Sequence, residues 1–410
     1  MEQKLPNKEK LSPIEFAFII FLFAIYLLPA FSLGSTTLLI ILLAYCILLL
    51  GIDKNIAPFV CKSLLLIAAL ALAYALLTDT SSIAENASNR ELKRFISKLY
   101  QYLTLYFPAI LFVRVNKKAT QKQKMWLIII GIAIMIYVII TTWIFLIENP
   151  NATREWTGVD EVSSENVAGY YFIYAVPIII STVAIIFTKV KGAAKLLTLG
   201  CIIVGIIFLV NAQYTLSILI AIIGVLIQIF RNMRSNISKV VFVFSMFLVA
   251  LFLPNILEFA ISRIPSYQVA VRLGEIHDFL TGQGADGYNL NGRLTLYGDT
   301  VKAFFDSPIW GNRKLDFDGH ATFLTVLSDT GLIGSIPFYS LLIVVCSCIK
   351  KQISSQKAQF NVIIIMFVMM GLTNPIHASM PLGFATWFLA PLIIQMIFKE
   401  DNKNEVPLKN

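Results

Sequence analysis

The chain has 410 residues, of which 57% are hydrophobic and 14% are charged, and its formal net charge at pH 7 is +9. Soluble domains contain about 45–50% apolar and about 25% charged residues. With a mean hydropathy of +0.77, the composition excludes a soluble globular enzyme, a disordered tail and a nucleic-acid-binding domain. It predicts an integral membrane protein.

Twelve apolar runs approach the length of about 20 residues that a helix needs to cross a bilayer. They predict an all-α integral membrane protein with about twelve transmembrane helices. The fourth run is the weakest, because its apolar core, Leu103 to Val113, is short and contains Pro108. The predicted spans are 14–32, 36–52, 60–78, 99–113, 125–147, 168–188, 195–211, 214–230, 239–257, 331–349, 358–374 and 381–398.

The spans divide the chain into three regions. Residues 1–257 hold transmembrane helices 1–9, residues 258–330 form one large loop with amphipathic helices, and residues 331–410 hold helices 10–12 and a tail. The loop is far longer than a usual connection and is not low in complexity. We therefore expect the functional site in this loop.

The distribution of charge predicts the orientation. If successive spans cross the membrane in alternating directions, the side that holds both termini carries 22 Lys and Arg residues and 7 acidic residues. The other side carries 11 Lys and Arg residues and 17 acidic residues. Cytoplasmic loops carry the excess of Lys and Arg, so both termini are predicted to be cytoplasmic and the 258–330 loop extracytoplasmic. The outer segment 79–98 departs from this pattern and favours an amphipathic stretch on the outer headgroups. Its cations are Arg90, Lys93, Arg94 and Lys98.

The loop contains a predicted helix over 291–308, ended by Ser307-Pro308. Arg293 falls in its first turn, where the helix dipole disfavours a cation, and this favours a role in anion binding. Apolar residues at helical spacing predict one stripe that rests on lipid or on the bundle. The stripe comprises Leu294, Tyr297, Val301, Phe304 and Phe305.

The three histidines, His277, His320 and His377, all fall on the predicted outer side. His320 comes just before an apolar run and is predicted to lie at or near a helix N-terminus. That position disfavours the imidazolium form, while Asp316 and Asp318 favour it. If the dipole dominates, the ring is neutral and can act as a base.

Two other sequence patterns, one for dinucleotide binding and one for a metal site, are rejected. Residues 282–287 match a dinucleotide-binding fingerprint, but no strand precedes them and no βαβ unit can be drawn. A metal site built from His277, His320 and the acidic residues of the loop has no short His-x-x-His or Cys-x-x-Cys pair to support it. We therefore predict no metal and no cofactor.

Several short motifs occur in a fixed order before two of the spans. They are Glu165-Asn166-Val-Ala-Gly169 with Pro177, Asn291-Gly-Arg293, Ser307-Pro-Ile-Trp-Gly311, Gly319-His320 and Gly331-Leu-Ile-Gly334. With twelve spans and one large outer loop before the tenth, this order resembles the signature of the O-antigen ligase and O-antigen polymerase superfamily. The motifs occupy roughly 60 residues, and the resemblance in topology covers the whole chain.

The resemblance implies a metal-independent glycosyltransferase on the outer face of the bacterial cytoplasmic membrane. Its partners would be an undecaprenyl-pyrophosphate-linked glycan donor, a glycan or lipid-linked glycan acceptor, membrane lipids and a chain-length regulator. The position of Arg293 would bind the pyrophosphate, and that of His320 would activate the acceptor hydroxyl. Arg263, Arg272 and Asn166 are predicted as further contacts to the substrate.

The sequence departs from the family pattern at two places. The turn that opens the eighth span, Asn211 to Ser217, lacks the arginine associated with the ligases, and Gln213 supplies at most a hydrogen bond there. His320 is followed by Ala321 where His-Asn is usual.

Three functions remain open. The first is a polymerase of O-antigen or capsule repeat units, and the second is a ligase that transfers finished glycan to a lipid A core. The third is a transporter of lipid-linked sugars, which predicts ionisable residues along the spans and an internal repeat. The spans contain almost no such residues and no repeat is apparent, so the sequence favours a transferase.

Overall fold

The computed structural model describes residues 11–31, 33–78, 90–149, 167–233, 235–263, 267–282, 290–312, 321–353 and 356–404. Within these ranges the chain is helical and contains no strand. Nine of the helices in the described part are long and apolar enough to cross a membrane. The protein is therefore an all-α membrane protein, and the number of twelve spans remains a prediction.

The helices follow the predicted spans in chain order. They are α1 (Pro13–Leu27), α2 (Ser35–Ile52), α3 (Ala57–Leu77), α4 (Arg90–Lys118), α5 (Gln121–Glu148), α6 (Tyr170–Ile173), α7 (Val176–Lys189), α8 (Ala193–Asn211), α9 (Thr215–Asn232), α10 (Asn236–Arg263), α11 (Tyr267–Thr281), α12 (Leu290–Asp306), α13 (Thr322–Gln352), α14 (Lys357–Thr373), α15 (Met380–Phe384) and α16 (Ala390–Asn404). A π-helical turn, Ala385–Leu389, joins the last two. Every predicted span overlaps a helix, and α4, α10 and α13 extend into segments that the sequence assigns to loops.

Helix α4 lies at the centre of the bundle, although it contains the weakest predicted span. All of its residues from Tyr102 to Val115 are buried, and it contacts α2, α3, α13, α15 and α16. Pro108 has no N–H to donate to the carbonyl of Thr104, four residues earlier. The buried hydroxyl of Tyr26 on α1 donates to that carbonyl instead, at 3.0 Å. A neighbouring helix thus satisfies the polar group that the proline leaves free.

The predicted cytoplasmic end of α4 is held by a buried ion cluster. Arg114 donates from Nε and Nη2 to the two oxygens of Glu15 on α1, at 2.7 and 2.9 Å. Its Nη1 donates to Asp53, which follows α2, at 2.8 Å. The hydroxyl of Tyr45 also donates to Glu15, at 2.9 Å. One guanidinium therefore pairs with two carboxylates and joins three helices.

Replacement of Arg114 by methionine should lower the free energy of unfolding by about 3–5 kcal/mol, because two buried carboxylates lose their counter-ion. Unfolding of the purified chain in detergent measures the change. Lys62→Met is the matched control, since Lys62 is exposed on α3 at the same predicted side, and it should have little effect. Equal stability of the two variants would contradict the structural role of the cluster.

The loop region between α10 and α13 contains two further helices. Helix α11 contacts α10, and α12 contacts α13. Helix α12 begins and ends close to the predicted positions, but its buried face differs from the predicted stripe. Thr300 and Ala303 are buried, whereas Phe305 is 70% exposed. The small residues let α12 approach the bundle closely, whereas Phe305 stays largely exposed, and contact of this part of the stripe with lipid remains a prediction.

Candidate functional site

The end of α12 is locked to α13 through two glycines. Gly331 has φ 60° and ψ −162°, a conformation that is essentially restricted to glycine, and it kinks α13. The kink lets the N–H of Leu332 donate to the carbonyl of Pro308 at 2.9 Å, and the N–H of Asn312 donates to Ser328 at 2.7 Å. A Cβ on Gly311 would lie 2.3 Å from the carbonyl oxygen of Asp329. Only glycine permits this close approach of the two backbones.

A second contact holds the first half of α12. The hydroxyl of Tyr297 donates to the carbonyl of Thr373, the last residue of α14, at 3.3 Å. Helix α12 therefore lies across the predicted outer ends of α13 and α14. Arg293 lies in the first turn of α12, about 6 Å along the axis before Tyr297, and its side chain falls outside the described part.

The short connection between α14 and α15 packs against the start of α13. The hydroxyl of Thr322 accepts from the N–H of Ile376 at 2.7 Å and donates to the carbonyl of Asn374 at 3.2 Å. Nδ1 of His377 lies 3.5 Å from the same hydroxyl. Thr322, which comes two residues after His320 in the sequence, therefore lies beside His377. His320 itself lies outside the described residues.

Four ionisable side chains gather at this end of the bundle, and we call them the outer polar cluster. Arg94 on α4 donates to the carbonyl and the hydroxyl of Thr78 at 2.8 and 2.5 Å. Asp329 is 6% exposed and accepts from the hydroxyl of Ser328 at 3.4 Å. The other two are half-buried. The members of the cluster are Arg94, Lys98, Asp329 and His377.

Burial changes the pKa values of two members of the cluster: Lys98, which precedes the fourth predicted span, and His377, which lies between the last two. It lowers the pKa of Lys98 to about 8, an effect that Arg94 reinforces and Asp329 opposes. Burial, together with the charge of Lys98, lowers the pKa of His377 to about 3. His377 is therefore neutral near pH 7, and Lys98 remains largely cationic.

The remaining predicted contact residues are distributed over several elements. Arg263 is exposed at the end of α10, with its guanidinium 5.5 Å from the ring centroid of Phe259. Arg272 lies on α11, and its side chain falls outside the described part. Gln213 is buried in the turn between α8 and α9 with φ 60°. Asn166 also lies outside the described residues.

Aromatic residues link the turn that contains Gln213 to the segment that contains His377. Tyr214 packs edge-on against Tyr174, with ring centroids 6.0 Å apart, and the carbonyl of Tyr171 accepts from the hydroxyl of Ser379 at 2.7 Å. The turn that opens α9 therefore faces the same end of the bundle as α12 and the outer polar cluster. Substrate contacts by Gln213 remain a prediction.

No family model matches this chain, and no curated protein is detectably similar to it. Among the described residues, no group of three or more His, Cys, Asp or Glu side chains is placed to hold a metal ion.

The sequence did not single out the outer polar cluster as a site. One signal was present: Arg94 and Lys98 are cations on the predicted outer side, against the positive-inside pattern. Asp329 is an isolated acid at the edge of an apolar run. Nothing local to either stretch indicated that α3, α4 and α13 would bring these charges together.

Replacement of Gly331 by alanine should detach α12 from α13. The backbone strain alone costs roughly 1–3 kcal/mol, and the added Cβ would lie 2.4 Å from the carbonyl oxygen of Ile309. Thermal unfolding and protease protection of the loop measure the effect. Gly298→Ala is the matched control, because Gly298 is exposed on α12 with no atom near its Cβ position. Similar behaviour of both variants would contradict the locking role of Gly331.

The stability of the protein should fall on acidification because of His377. Its pKa lies below the ordinary value in the folded state, so below about pH 6.5 the unfolded chain binds a proton that the folded chain does not. The loss should reach at most about 1.4 kcal/mol per pH unit. His377→Gln should flatten the dependence of unfolding free energy on pH between 7.5 and 5. A parallel dependence in both proteins would contradict the buried, neutral state of His377.

Proposed function

We propose that the protein is a polysaccharide polymerase that joins lipid-linked repeat units of O-antigen or capsule at the outer face of the cytoplasmic membrane. The observation that carries the proposal is the lock between the turn after α12 and Gly331. It holds the helix that carries Arg293 against the helix that begins just after His320. Two of the motifs that resemble the O-antigen ligase and polymerase superfamily, the turn that ends at Gly311 and the stretch that begins at Gly331, are in contact, which supports the proposal.

The proposed chemistry is a substitution at the anomeric carbon of the donor sugar. The acceptor hydroxyl oxygen bonds to that carbon, the bond to the pyrophosphate oxygen breaks, and His320 takes the hydroxyl proton. The leaving group gains negative charge in the transition state, and a guanidinium such as that of Arg293 stabilises it without a metal. A neutral histidine as general base contributes about 10²–10⁴-fold to the rate.

The placement of charge supports a surface site rather than a conduit. In the described helices, the buried ionisable side chains lie toward the two ends of the bundle, such as Arg114 at one end and Asp329 at the other. A transport pathway would place such residues through the middle of the membrane. An exposed apolar helix, α10, in which only Leu257 is buried, contacts the loop helix α11 and fits access for a lipid tail.

The turn between α8 and α9 favours the polymerase over the ligase. The resemblance associates the ligases with an arginine in this turn, and the residue present, Gln213, is uncharged and buried.

The two functions also differ in the product that accumulates when the protein is lost. Loss of a polymerase leaves single repeat units on the acceptor, whereas loss of a ligase leaves polymer on the carrier lipid.

Arg293→Ala and His320→Ala should each reduce glycan polymer at least about 100-fold, because one loses stabilisation of the leaving group and the other loses the base. Glycan chain length in membranes, resolved on gels, measures the effect. Lys302→Gln is the control, since Lys302 is exposed on α12, and it should make full-length polymer. Full-length polymer from both test variants, at normal protein levels, would refute the proposed site.

A further inference from the structure

Helix α12 has three faces with different surroundings. One face packs on the bundle and includes Thr300 and Ala303, which are buried. The other two faces are exposed. With 3.6 residues per turn, the three faces are about 120° apart around the helix axis. Only one third of this helix is therefore committed to contact with the bundle.

The two exposed faces differ in polarity. One includes Val301 and Phe305, which are four residues apart, and we call it the apolar flank of α12. The other includes Asp299, Lys302 and Asp306, and we call it the polar flank. Water on both sides would favour no such separation. A helix that lies in the angle between a protein and a bilayer surface meets protein, lipid and water, and the three faces match these surroundings.

The turn after α12 adds further exposed apolar side chains. Ile309 and Trp310 are both exposed, Trp310 to 54%. The carbonyl of Ile309 accepts from the N–H of Ile333 on α13 at 3.3 Å. This hydrogen bond places the turn directly against the part of α13 that follows the kink at Gly331.

That part of α13 presents apolar side chains to its surroundings. Helix α13 is long and apolar enough to cross a membrane, and Leu332, Ile333 and Ile336 are exposed in its first turns after the kink. Exposed apolar side chains on a spanning helix contact lipid tails, which are as apolar as they are. Exposed apolar residues therefore lie on both sides of the hydrogen bond between Ile309 and Ile333. The lipid-facing surface of α13 continues onto the turn that ends α12.

We propose that Val301, Phe305, Ile309 and Trp310 form a membrane anchor, which inserts into the boundary between headgroups and acyl chains of the leaflet on the predicted outer side. The partner is the lipid bilayer, because the anchor is continuous with the lipid-facing residues of α13 and a polar flank lies beside it. Tryptophan is enriched at this depth, where its ring is in apolar surroundings and its N–H reaches water. The anchor does not depend on the proposed function.

The anchor would complete the attachment of α12. The two glycines hold the end of the helix to α13, and Tyr297 holds its first half to α14. With its apolar flank in the bilayer, the helix would also resist rotation about its axis and movement away from the membrane. Lipid would thus act as the third support of the loop helix, beside α13 and α14.

Quenching of tryptophan fluorescence tests the anchor. The full-length chain is placed in nanodiscs of phosphatidylcholine whose acyl chains carry bromine near the headgroups. The contribution of Trp310 is the difference in fluorescence between the unchanged protein and Trp310→Phe. The brominated lipid should reduce this difference by about half or more, whereas iodide in the water should reduce it little.

Two results would overturn the proposal. Quenching of Trp310 by iodide but not by brominated lipid would place this side chain in water. Resistance to both quenchers would indicate that a second copy of the chain or another protein covers it.

A matched pair of substitutions tests the division of the exposed faces. In the Trp310→Phe background, Phe305→Trp adds a reporter to the apolar flank and Lys302→Trp adds one to the polar flank. Both positions are exposed, so neither indole has to enter the core. Brominated lipid should quench the reporter at 305 at least about threefold more than the reporter at 302, and iodide should act in the reverse order.

Thermal unfolding of both reporter variants should match that of Trp310→Phe, which excludes a folding defect as the cause of the difference. Equal quenching of the two reporters by brominated lipid would overturn the proposal, because the two flanks would then share one environment.

Discussion

The structure depends on the enclosure of α4 by other helices. This helix contains a proline, several tyrosines and cations near both ends, and a helix of that composition is poorly suited to contact with lipid. Inside the bundle its polar groups find partners, as when Tyr26 donates to the carbonyl that Pro108 leaves free. Because α4 contacts helices from both halves of the chain, its burial also determines which of them become neighbours.

The same enclosure gathers ionisable side chains at both ends of α4. At the predicted inner end, Arg114 pairs with two carboxylates and joins α1, α2 and α4. At the predicted outer end, Arg94 and Lys98 lie near the buried Asp329, and the carbonyl of Thr78 accepts from the guanidinium of Arg94. The charged side chains near the ends of this helix thus have partners within the protein.

In the described part of the large loop, backbone contacts hold the end of α12 against α13. Gly311 and Gly331 allow two chain segments to approach more closely than any other residues would permit. The contact fixes the end of α12 against α13, and the hydroxyl of Tyr297 holds the first half of α12 against α14. These contacts bring the end of α12 and the kink at Gly331 to the end of the bundle where the outer polar cluster lies.

The sequence by itself determined the class of the protein, the positions of the apolar helices and the helix of the large loop, because hydropathy and helix termination are local properties. It also identified Arg94 and Lys98 as cations on the unexpected side. Only the tertiary structure decided that α4 is central, that Arg114 pairs with Glu15 and Asp53, and that Thr300 rather than Phe305 is buried on α12. Each of these depends on which distant segments pack together, and burial and charge balance are set by those neighbours rather than by the residue itself.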